Sequence, residues 1–351
     1  MKKAIIAMSG GVDSSVAAYL MKTSGYECIG ATMKLYDNEA VNLSDKSCCT
    51  EEDVADARAV AEKLGIPYYV FNFKDEFEKK VIENFISVYE RGGTPNPCIQ
   101  CNRYLKFEKL MTRMRELGFD YVVTGHYASV EEKNGRFYLK KGKDSSKDQS
   151  YVLYSLTQEQ LSHTVFPLGE YTKQEIRRIA DKQGFINADK SESQDICFVP
   201  DGDYSAFIEK YRGYKYPNGS FVNKNGDVLG EHSGIIRYTV GQRKGLGIAV
   251  GHPVYVIRKD TEKNEVVLGS NEDLFTDTVI VEDFNLIYPE TEKELRCKAK
   301  IRYNIKEADC TAVINKDRAV LKFDKPVRAA ASGQAAVLYD GEYVIGGGTI
   351  V

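Results

Sequence analysis

The stretch that most constrains how this chain can fold lies at its start. Ala4-Ile5-Ile6-Ala7 is an apolar, partly β-branched run that predicts a buried strand, and Met8-Ser9-Gly10-Gly11-Val12-Asp13-Ser14-Ser15 follows it directly. Two glycines allow a tight turn with close backbone approach, and Asp13-Ser14-Ser15 supplies caps for a helix through Val16-Ala17-Ala18-Tyr19-Leu20. Strand, glycine turn and helix in that order make an anion site. The first amides of the helix have no partner within it, and the hydroxyls of Ser9, Ser14 and Ser15 stand nearby. A phosphate or pyrophosphate suits such a place. The lysine that closes a Walker A loop is missing, which disfavours γ-phosphate transfer by a P-loop enzyme.

Strand and helix then alternate. Glu27 to Met33 predicts a second strand, and Thr50 to Leu64 a helix with Val54, Ala57, Ala61 and Leu64 at helical spacing. Pro67 to Phe71 predicts a third strand, Phe77 to Tyr89 an amphipathic helix, and Leu105 to Leu117 another. Tyr121-Val122-Val123 predicts a strand that runs into Thr124-Gly125-His126-Tyr127. The alternation implies a mostly parallel sheet covered on both faces, with ligands at the carboxyl ends of its strands. Asn134-Gly135 between Val130 and Phe137 marks a hairpin. Thr172-Lys173-Gln174-Glu175 is a capping box for a helix from Ile176 to Gln183, which Gly184 ends.

From about Asp201 the texture becomes β-rich, with short Val, Ile and Tyr runs punctuated by Asn218-Gly219, Asn225-Gly226 and Asp340-Gly341. At 351 residues the chain has room for two or three domains. The boundaries fall near residues 200 and 270: an α/β domain over 1–200, a small β-rich domain over 201–270, and a last stretch, 271–351, that can close into a small barrel.

Hydrophobic residues make up 42% of the chain, enough for packed cores. No apolar run approaches bilayer length, and Met1-Lys2-Lys3 leads into a strand and not into a signal peptide, so a cytoplasmic enzyme without membrane partners is expected. There the eight cysteines would be mostly reduced, which gives clustered ones a chemical reading first. The net charge of −3 neither demands nor excludes a nucleic acid.

Thr94-Pro95-Asn96-Pro97-Cys98-Ile99-Gln100-Cys101-Asn102-Arg103 reads as a proline-set loop between two helices. Two cysteines at this spacing suggest metal or sulfur chemistry, although Cys-x-x-Cys alone is a weak signal. Cys48-Cys49 has poor geometry for one metal, and no second Cys-x-x-Cys completes a zinc site. Cys197, in Ser193-Gln194-Asp195-Ile196-Cys197-Phe198, is the remaining candidate partner. Cys28, Cys297 and Cys310 sit in apolar strand patterns where cysteine is usually filler, and they receive no role. Gly241-Gln242-Arg243-Lys244-Gly245 has too much glycine for a strand and reads as a basic loop. Lys298, Lys300 and Arg302 alternate, which would place all three on one strand face as a phosphate-tracking stripe.

Taken together these stretches carry a resemblance. Ser9-Gly10-Gly11-Val12-Asp13-Ser14 is similar to the pyrophosphatase-type loop of ATP enzymes that adenylate a substrate oxygen. With Cys101-Asn102, Thr124 to Tyr127, Lys147-Asp148-Gln149-Ser150-Tyr151, Ser193 to Phe198 and Tyr238 to Gly247, essentially the whole chain resembles the bacterial tRNA-specific 2-thiouridylase family. The resemblance implies an N-terminal HUP-like adenylating domain, a small β-rich central domain and a C-terminal β-barrel. It implies thiolation at C2 of the wobble uridine, position 34, of tRNAs for Lys, Glu and Gln, with ATP and Mg²⁺ and with sulfur from a cysteine desulfurase or a relay protein.

By position it places ATP at Ala7, Met8, Ser9, Gly10, Gly11, Val12, Asp13 and Ser14, with Met33 and Gly125; Asp13 is a candidate Mg²⁺ partner or helix cap. It makes Cys101 the nucleophile and Cys197 the carrier of a persulfide, in a cycle that passes through a Cys101–Cys197 disulfide. Asn96, Pro97 and Cys98 would approach the target base, and His126, Lys147, Asp148, Gln149, Arg302, Tyr303 and Gln334 would contact the tRNA.

The chemistry of the residues agrees. Uridine O2 is a poor leaving group until adenylation turns it into AMP, and a thiolate of lowered pKa can then deliver sulfur. One departure stands out. Many members of the family have Asn-Pro-Asp where this chain has Asn96-Pro97-Cys98, so an acid or base role for that carboxylate is in doubt here. Cys98, Cys101 and Cys197 also resemble the three-cysteine set of related sulfurtransferases that bind a [4Fe–4S] cluster. Two other classes remain: a small-molecule adenylating ligase or amidotransferase with the same ATP loop, and a non-catalytic tRNA-binding protein. ATP turnover that depends on tRNA separates them.

Overall fold

Ala4, Ile5 and Ile6 have no exposed surface, because the strand they form lies inside a sheet with neighbours on both sides. A computed structural model describes residues 1–36, 51–190, 196–287 and 294–351 of this chain. It divides into two compact units: Met1–Val81 with Cys98–Gly202 and Gly341–Ile345, and Ile82–Pro97 with Asp203–Asp340 and Gly346–Val351.

The first unit is built on a parallel sheet. Its strands are β1 (Lys3–Ala7), β2 (Glu27–Lys34), β3 (Tyr68–Asn72), β4 (Tyr121–Val123) and β7 (Thr164–Val165), in the order β3-β2-β1-β4-β7. The order runs one way from β1 to β3 and the other way from β4 to β7. The carboxyl ends of β1 and β4 therefore flank the point where the winding reverses, which is where open α/β sheets bind ligands. Helices α1 (Val12–Thr23), α2 (Glu51–Leu64) and α3 (Lys173–Gln183) pack Val16, Ala17, Val60, Ala61, Ile176 and Ala180 against Ala4, Ile6 and Met8. Each fully buried Val or Ile contributes about 1.5–3 kcal/mol.

Local signals behave as expected. Thr172 and Glu175 form both bonds of the capping box, and Gly184 ends α3 in the left-handed region. Asn134 and Gly135, both at positive φ, turn the hairpin β5 (Ala128–Lys133) and β6 (Arg136–Lys141). Three expectations change. Strand β3 is an edge strand with Tyr69 and Val70 exposed, so among the described residues the sheet is not covered on both faces there. The helix expected from Leu105 begins at Pro97, with a π-helical stretch over Cys101–Lys109 before the α-helix Leu110–Glu116. Another π-helical turn, Glu78–Ile82, interrupts the helix expected over Phe77 to Tyr89.

The second unit is β-rich, but its main stretch, 203–340, opens with a helix that the sequence reading passed over, α4 (Tyr204–Arg212). Asp203 caps it by accepting from the Ala206 amide, and Gly213 ends it in the left-handed region. A four-stranded sheet follows, in the order β10 (Tyr255–Asp260), β11 (Glu265–Gly269), β8 (Gly219–Val222) and β9 (Val228–His232). Beyond it, β12 (Phe275–Leu286), β15 (Arg318–Arg328), β14 (Ala308–Asn315), β13 (Glu294–Lys300), β16 (Ala335–Asp340) and β17 (Tyr343–Ile350) pair in that order. Pairing of Val281 with Ile350 joins β12 to β17 and closes the circuit, the barrel expected from the last stretch. Along β15 the inward Ala319, Leu321 and Phe323 alternate with the more exposed Val320, Lys322 and Asp324.

Candidate active site

The loop after β1 is held from all sides in the first unit. The Met8 amide donates to Ala31 O at 2.9 Å, and Thr32 donates to Met8 O at 2.6 Å, so the chain leaves the sheet in a fixed direction. Gly10 then takes φ +77°, and a Cβ there would stand 2.4 Å from the Asp53 carbonyl oxygen on α2. Only glycine fits that approach. The Ser9 amide donates to Ser14 Oγ at 3.1 Å, while the hydroxyls of Ser14 and Ser15 both donate to Gly11 O. Helix α1 begins at Val12 with Gly11 as its N-cap and no side-chain cap bond. Asp13, Ser14 and Ser15 therefore lie inside the first turn and do not cap it, contrary to the sequence expectation. The serines brace the loop from within, and the first-turn amides remain directed out of the helix.

Gly125 follows β4 onto the same ground. A Cβ on it would lie 2.9 Å from the Ser14 amide nitrogen, so the Thr124–Tyr127 segment packs directly on the start of α1. Met33 sits near the end of β2, paired with Phe71. The residues expected to hold ATP, Ala7 to Ser14 with Gly125, are thus gathered at the winding reversal. The open amides and close glycines there suit a polyphosphate.

Sequence reading missed the residues that surround Asp13. Lys173 Nζ, on a side chain 10% exposed, lies 2.8 Å from both Asp13 oxygens, and the Tyr127 hydroxyl donates to Asp13 Oδ1 at 2.7 Å. That carboxylate is held by a cation and a phenol, not by a cap amide. Tyr127 is itself fixed by Gln149, whose side chain accepts from the Tyr127 amide and whose amide donates to Tyr127 O. Asp148 accepts from the amides of Gly142 and Ser150, so Asp148 and Gln149 shape their own loop. Lys147 is half-buried beside them. Asn187 was also missed. Its amide donates to Gly10 O at 2.8 Å and Ser15 Oγ at 2.9 Å, tying a distant segment to the loop. Three residues on, Lys190 bridges Asp53 and Asp56 at the start of α2.

The cysteine segment is helical, not the loop that its prolines suggested. Pro97 opens the helical turn Pro97–Gln100, with Cys98 exposed and Cys101 half-buried at the start of the π stretch. Asn102 anchors this stretch by donating to Val152 O at 3.0 Å. Lys106, further along it, brings Nζ to 3.4 Å from His126 Nε2, while Thr124 Oγ1 lies 2.7 Å from Nδ1. His126 is buried between Phe107 and Phe166. Burial, assisted by the Lys106 ammonium, pushes its pKa well below the usual value and keeps the ring neutral. With Lys106 charged, Nε2 accepts and Nδ1–H donates to Thr124.

Cys197 is half-buried; Tyr36 donates to its carbonyl at 2.9 Å, and Phe198 meets Phe77 edge-on. Ser193, Gln194, Asp195, Cys48 and Cys49 lie outside the described residues. Among the described residues no three His, Cys, Asp or Glu side chains gather as a metal site requires, and Cys98, Cys101 and Cys197 are all described.

In the second unit, Gln334 donates to Thr94 O at 2.9 Å and Pro95 O at 3.3 Å, and so supports the backbone ahead of Asn96 and Pro97. Arg302 leaves strand β13 and turns its guanidinium to Val240 O and Ala329 O, each at 2.9 Å. It is therefore not the third residue of the expected stripe. Lys298 and Lys300 remain on one face of β13, with Lys300 Nζ 5.5 Å from the ring of Tyr303. Gly241 and Gly245 take positive φ in the basic segment after Tyr238, which is a loop as expected.

Comparison with known proteins extends this geometry. Family models described as the tRNA methyl transferase HUP domain, the tRNA methyl transferase PRC-barrel domain and the aminomethyltransferase beta-barrel domain match residues 2–201, 205–270 and 276–350. The chain is 52% identical over 357 residues to the tRNA-specific 2-thiouridylase MnmA of Lachnoclostridium phytofermentans, covering 100% of each chain. It is 49% identical to the protein of that name from Clostridioides difficile, covering 99% of this chain and 98% of the other. Among solved structures, a 4-thiouridine synthetase in complex with RNA and ATP is similar over 60% of this chain and 50% of that one, at 19% identity and a TM-score of 0.40.

Proposed function

Since the chain belongs to the tRNA-specific 2-thiouridylase family, we propose that it is a tRNA sulfurtransferase that uses ATP to convert the wobble uridine to 2-thiouridine. The observation that carries the reading is that one compact unit holds both the open-amide loop of Ser9 to Ser14 and the half-buried thiols of Cys101 and Cys197. Uridine O2 attacks the α-phosphorus of ATP, and pyrophosphate leaves. Backbone amides at the start of α1 suit the departing phosphate and cost no reorganisation at that moment. A Mg²⁺ carried on the phosphates needs no protein cage of its own.

Sulfur follows by the persulfide route. The terminal sulfur on Cys197 attacks C2 and AMP departs with the former O2. The Cys101 thiolate then attacks Cys197 Sγ, the S–S bond of the persulfide breaks, and sulfur stays on the base. The resulting Cys101–Cys197 disulfide is returned to thiols by an external thiol, and a cysteine desulfurase or relay protein reloads Cys197. Asn96, Pro97 and Cys98 lie next to Cys101 in the chain and are assigned to the approach of the base. The carboxylate of the common motif is absent at position 98, and proton transfer is assigned to water or phosphate. The substrates are the tRNAs for Lys, Glu and Gln, in the cytoplasm.

The test is an oxygen-free incubation of protein, ATP, unmodified tRNA, cysteine and a cysteine desulfurase, followed by nucleoside mass analysis and iron determination. 2-Thiouridine should form with AMP, iron should be near zero, and Cys98→Ala should still thiolate, with at most a raised KM for tRNA. Cys101→Ser and Cys197→Ser should each lose it. About four irons per chain, lost together with activity in Cys98→Ala, would replace the persulfide route with a cluster. AMP formation without tRNA would point to a small-molecule ligase.

A further inference from the structure

Cys297 and Cys310 look like filler in the sequence, one in each of two apolar strand patterns. The barrel brings them together. Antiparallel pairing of β13 with β14 puts Cys297 directly opposite Cys310, both side chains point inward and are buried, and the sulfurs are 3.7 Å apart. Directly opposed residues in an antiparallel ladder have Cα atoms about 4.5 or 5.5 Å apart, depending on the kind of pair, and both values lie in the range that a disulfide spans. Bringing the sulfurs to bonding distance, about 2 Å, is within reach of small χ1 adjustments on two opposed strands.

We propose that Cys297 and Cys310 form a redox-responsive dithiol that closes to a disulfide across the base of the β13–β14 hairpin. The place matters for what it would constrain. Beyond Cys297 the chain carries Lys298 and Lys300 on the outer face, then Arg302 and Tyr303 in the connection, and returns through Cys310. A covalent link there staples the stem of the segment that presents these residues. The idea stands apart from the thiolation chemistry, since neither sulfur takes part in it.

The two thiols are not equivalent. Cys310 is lowered by the hydrogen bond from Cys297, with the Arg296 cation helping, while that bond and burial raise Cys297. With the Arg296 cation beside the pair, Cys310 is assigned as the attacking sulfur and Cys297 as its hydrogen-bond partner. Hydrogen peroxide supplies the oxidant. The Cys310 thiolate attacks one oxygen of hydrogen peroxide, breaking the O–O bond and releasing hydroxide, and becomes a sulfenic acid. Cys297 then attacks that sulfur, the S–O bond breaks and water leaves, so two thiols and one peroxide yield a disulfide and two waters.

The full-length protein, first reduced, is treated with hydrogen peroxide until Cys101 is oxidised, which shows that oxidant has been delivered. Remaining thiols are then alkylated under denaturing conditions and the protein is digested without reductant. The expected product is a Cys297 peptide joined to a Cys310 peptide, about 2 Da lighter than their sum. The Tm should rise by roughly 5 °C, as a short closed loop predicts, and dithiothreitol should reverse the rise. Cys297→Ala treated in the same way should lack this increment, whatever a Cys101–Cys197 disulfide adds equally to both proteins. Recovery of both cysteines as alkylated thiols in the wild-type protein, which needs no variant to fold, would overturn the proposal, as would a joined peptide with an unchanged Tm.

Discussion

The loop after β1 and the hairpin β13–β14 are both suited to phosphate but are made of different materials. In the loop the donors are main-chain amides, and what sets them is packing: Gly10 against Asp53, Gly125 against Ser14, and hydroxyls turned back onto Gly11 O. In the hairpin the donors are Lys298 and Lys300, whose placement depends only on which strand face they occupy. A site made of backbone is intolerant of added atoms. A site made of exposed side chains is tolerant, additive and sensitive to salt.

The sharpest way to break this contrast is a glycine pair in the first unit. Gly10→Ala should lower tRNA-dependent AMP formation about 100-fold, because the loop or α2 must move by about an ångström to admit the methyl group. Gly25 also sits at positive φ, +83°, but has nothing within 4 Å of an added Cβ. Gly25→Ala therefore reports left-handed strain alone, about 1 kcal/mol of stability, and should leave turnover within twofold. Equal turnover in the two variants would remove the loop from the chemistry.

Next in size is the Asp13–Lys173 pair. Lys173→Met leaves the Tyr127 hydroxyl donating to the Asp13 carboxylate but removes the cation beside it, and so puts an uncompensated negative charge beside the phosphate loop. Because Asp13 is about one-third exposed, a loss of about 2 kcal/mol in stability is expected, below the usual range for breaking a fully buried pair. The KM for ATP should rise roughly tenfold through repulsion. Asp13→Asn in the same chain should recover more than half of the stability, read by urea denaturation. Additive losses would mean that the two residues act separately.

The two materials were also unequally legible. Gly10-Gly11, Asn134-Gly135, Thr172 with Glu175, and Gly184 act within a few residues, and the spacing alone predicted their turns and caps. Asn187 reaches Gly10 across 177 positions and Lys173 reaches Asp13 across 160, and no periodicity encodes such partners. The π stretch after Cys101 was illegible for another reason: it shifts side chains around the helix axis without a compositional signature. Helix α4 could have been found, since Asp203 and Gly213 bracket it as cap and stop, but the β-rich texture on either side outweighed two short signals.

His126 gives a smaller effect, with a definite sign. Burial holds its folded pKa below 6.5, so as pH falls through 6.5 the unfolded chain takes up a proton that the folded protein refuses. The stability that depends on the neutral ring is full above pH 6.5. It declines below that value by up to about 1.4 kcal/mol per pH unit until the folded pKa is reached. Urea midpoints measured from pH 7.5 to 5 should fall more steeply for wild type than for His126→Gln. Parallel curves would mean that His126 is charged in the folded protein.

The smallest effects belong to the hairpin, and there the two lysines should differ. Lys298 lies directly across the ladder from Asp309, which offsets part of its field, whereas Lys300 on the same face is opposite Val337 of β16. If this face tracks tRNA phosphates, each lysine contributes about 0.7–0.9 to the slope of log affinity against log salt. Lys300→Ala should lower tRNA affinity several-fold near 0.15 M salt and flatten the slope by nearly that full amount. Lys298→Ala should do less, and Asp309→Asn should strengthen binding slightly by releasing Lys298. Titrations across a range of salt concentrations distinguish this from a folding defect, because a damaged fold lowers the fraction of protein that binds without changing the slope. Identical slopes in all three variants would take the phosphate contact away from β13 and leave the basic loop around Gly241 to Gly245 as the next surface to test.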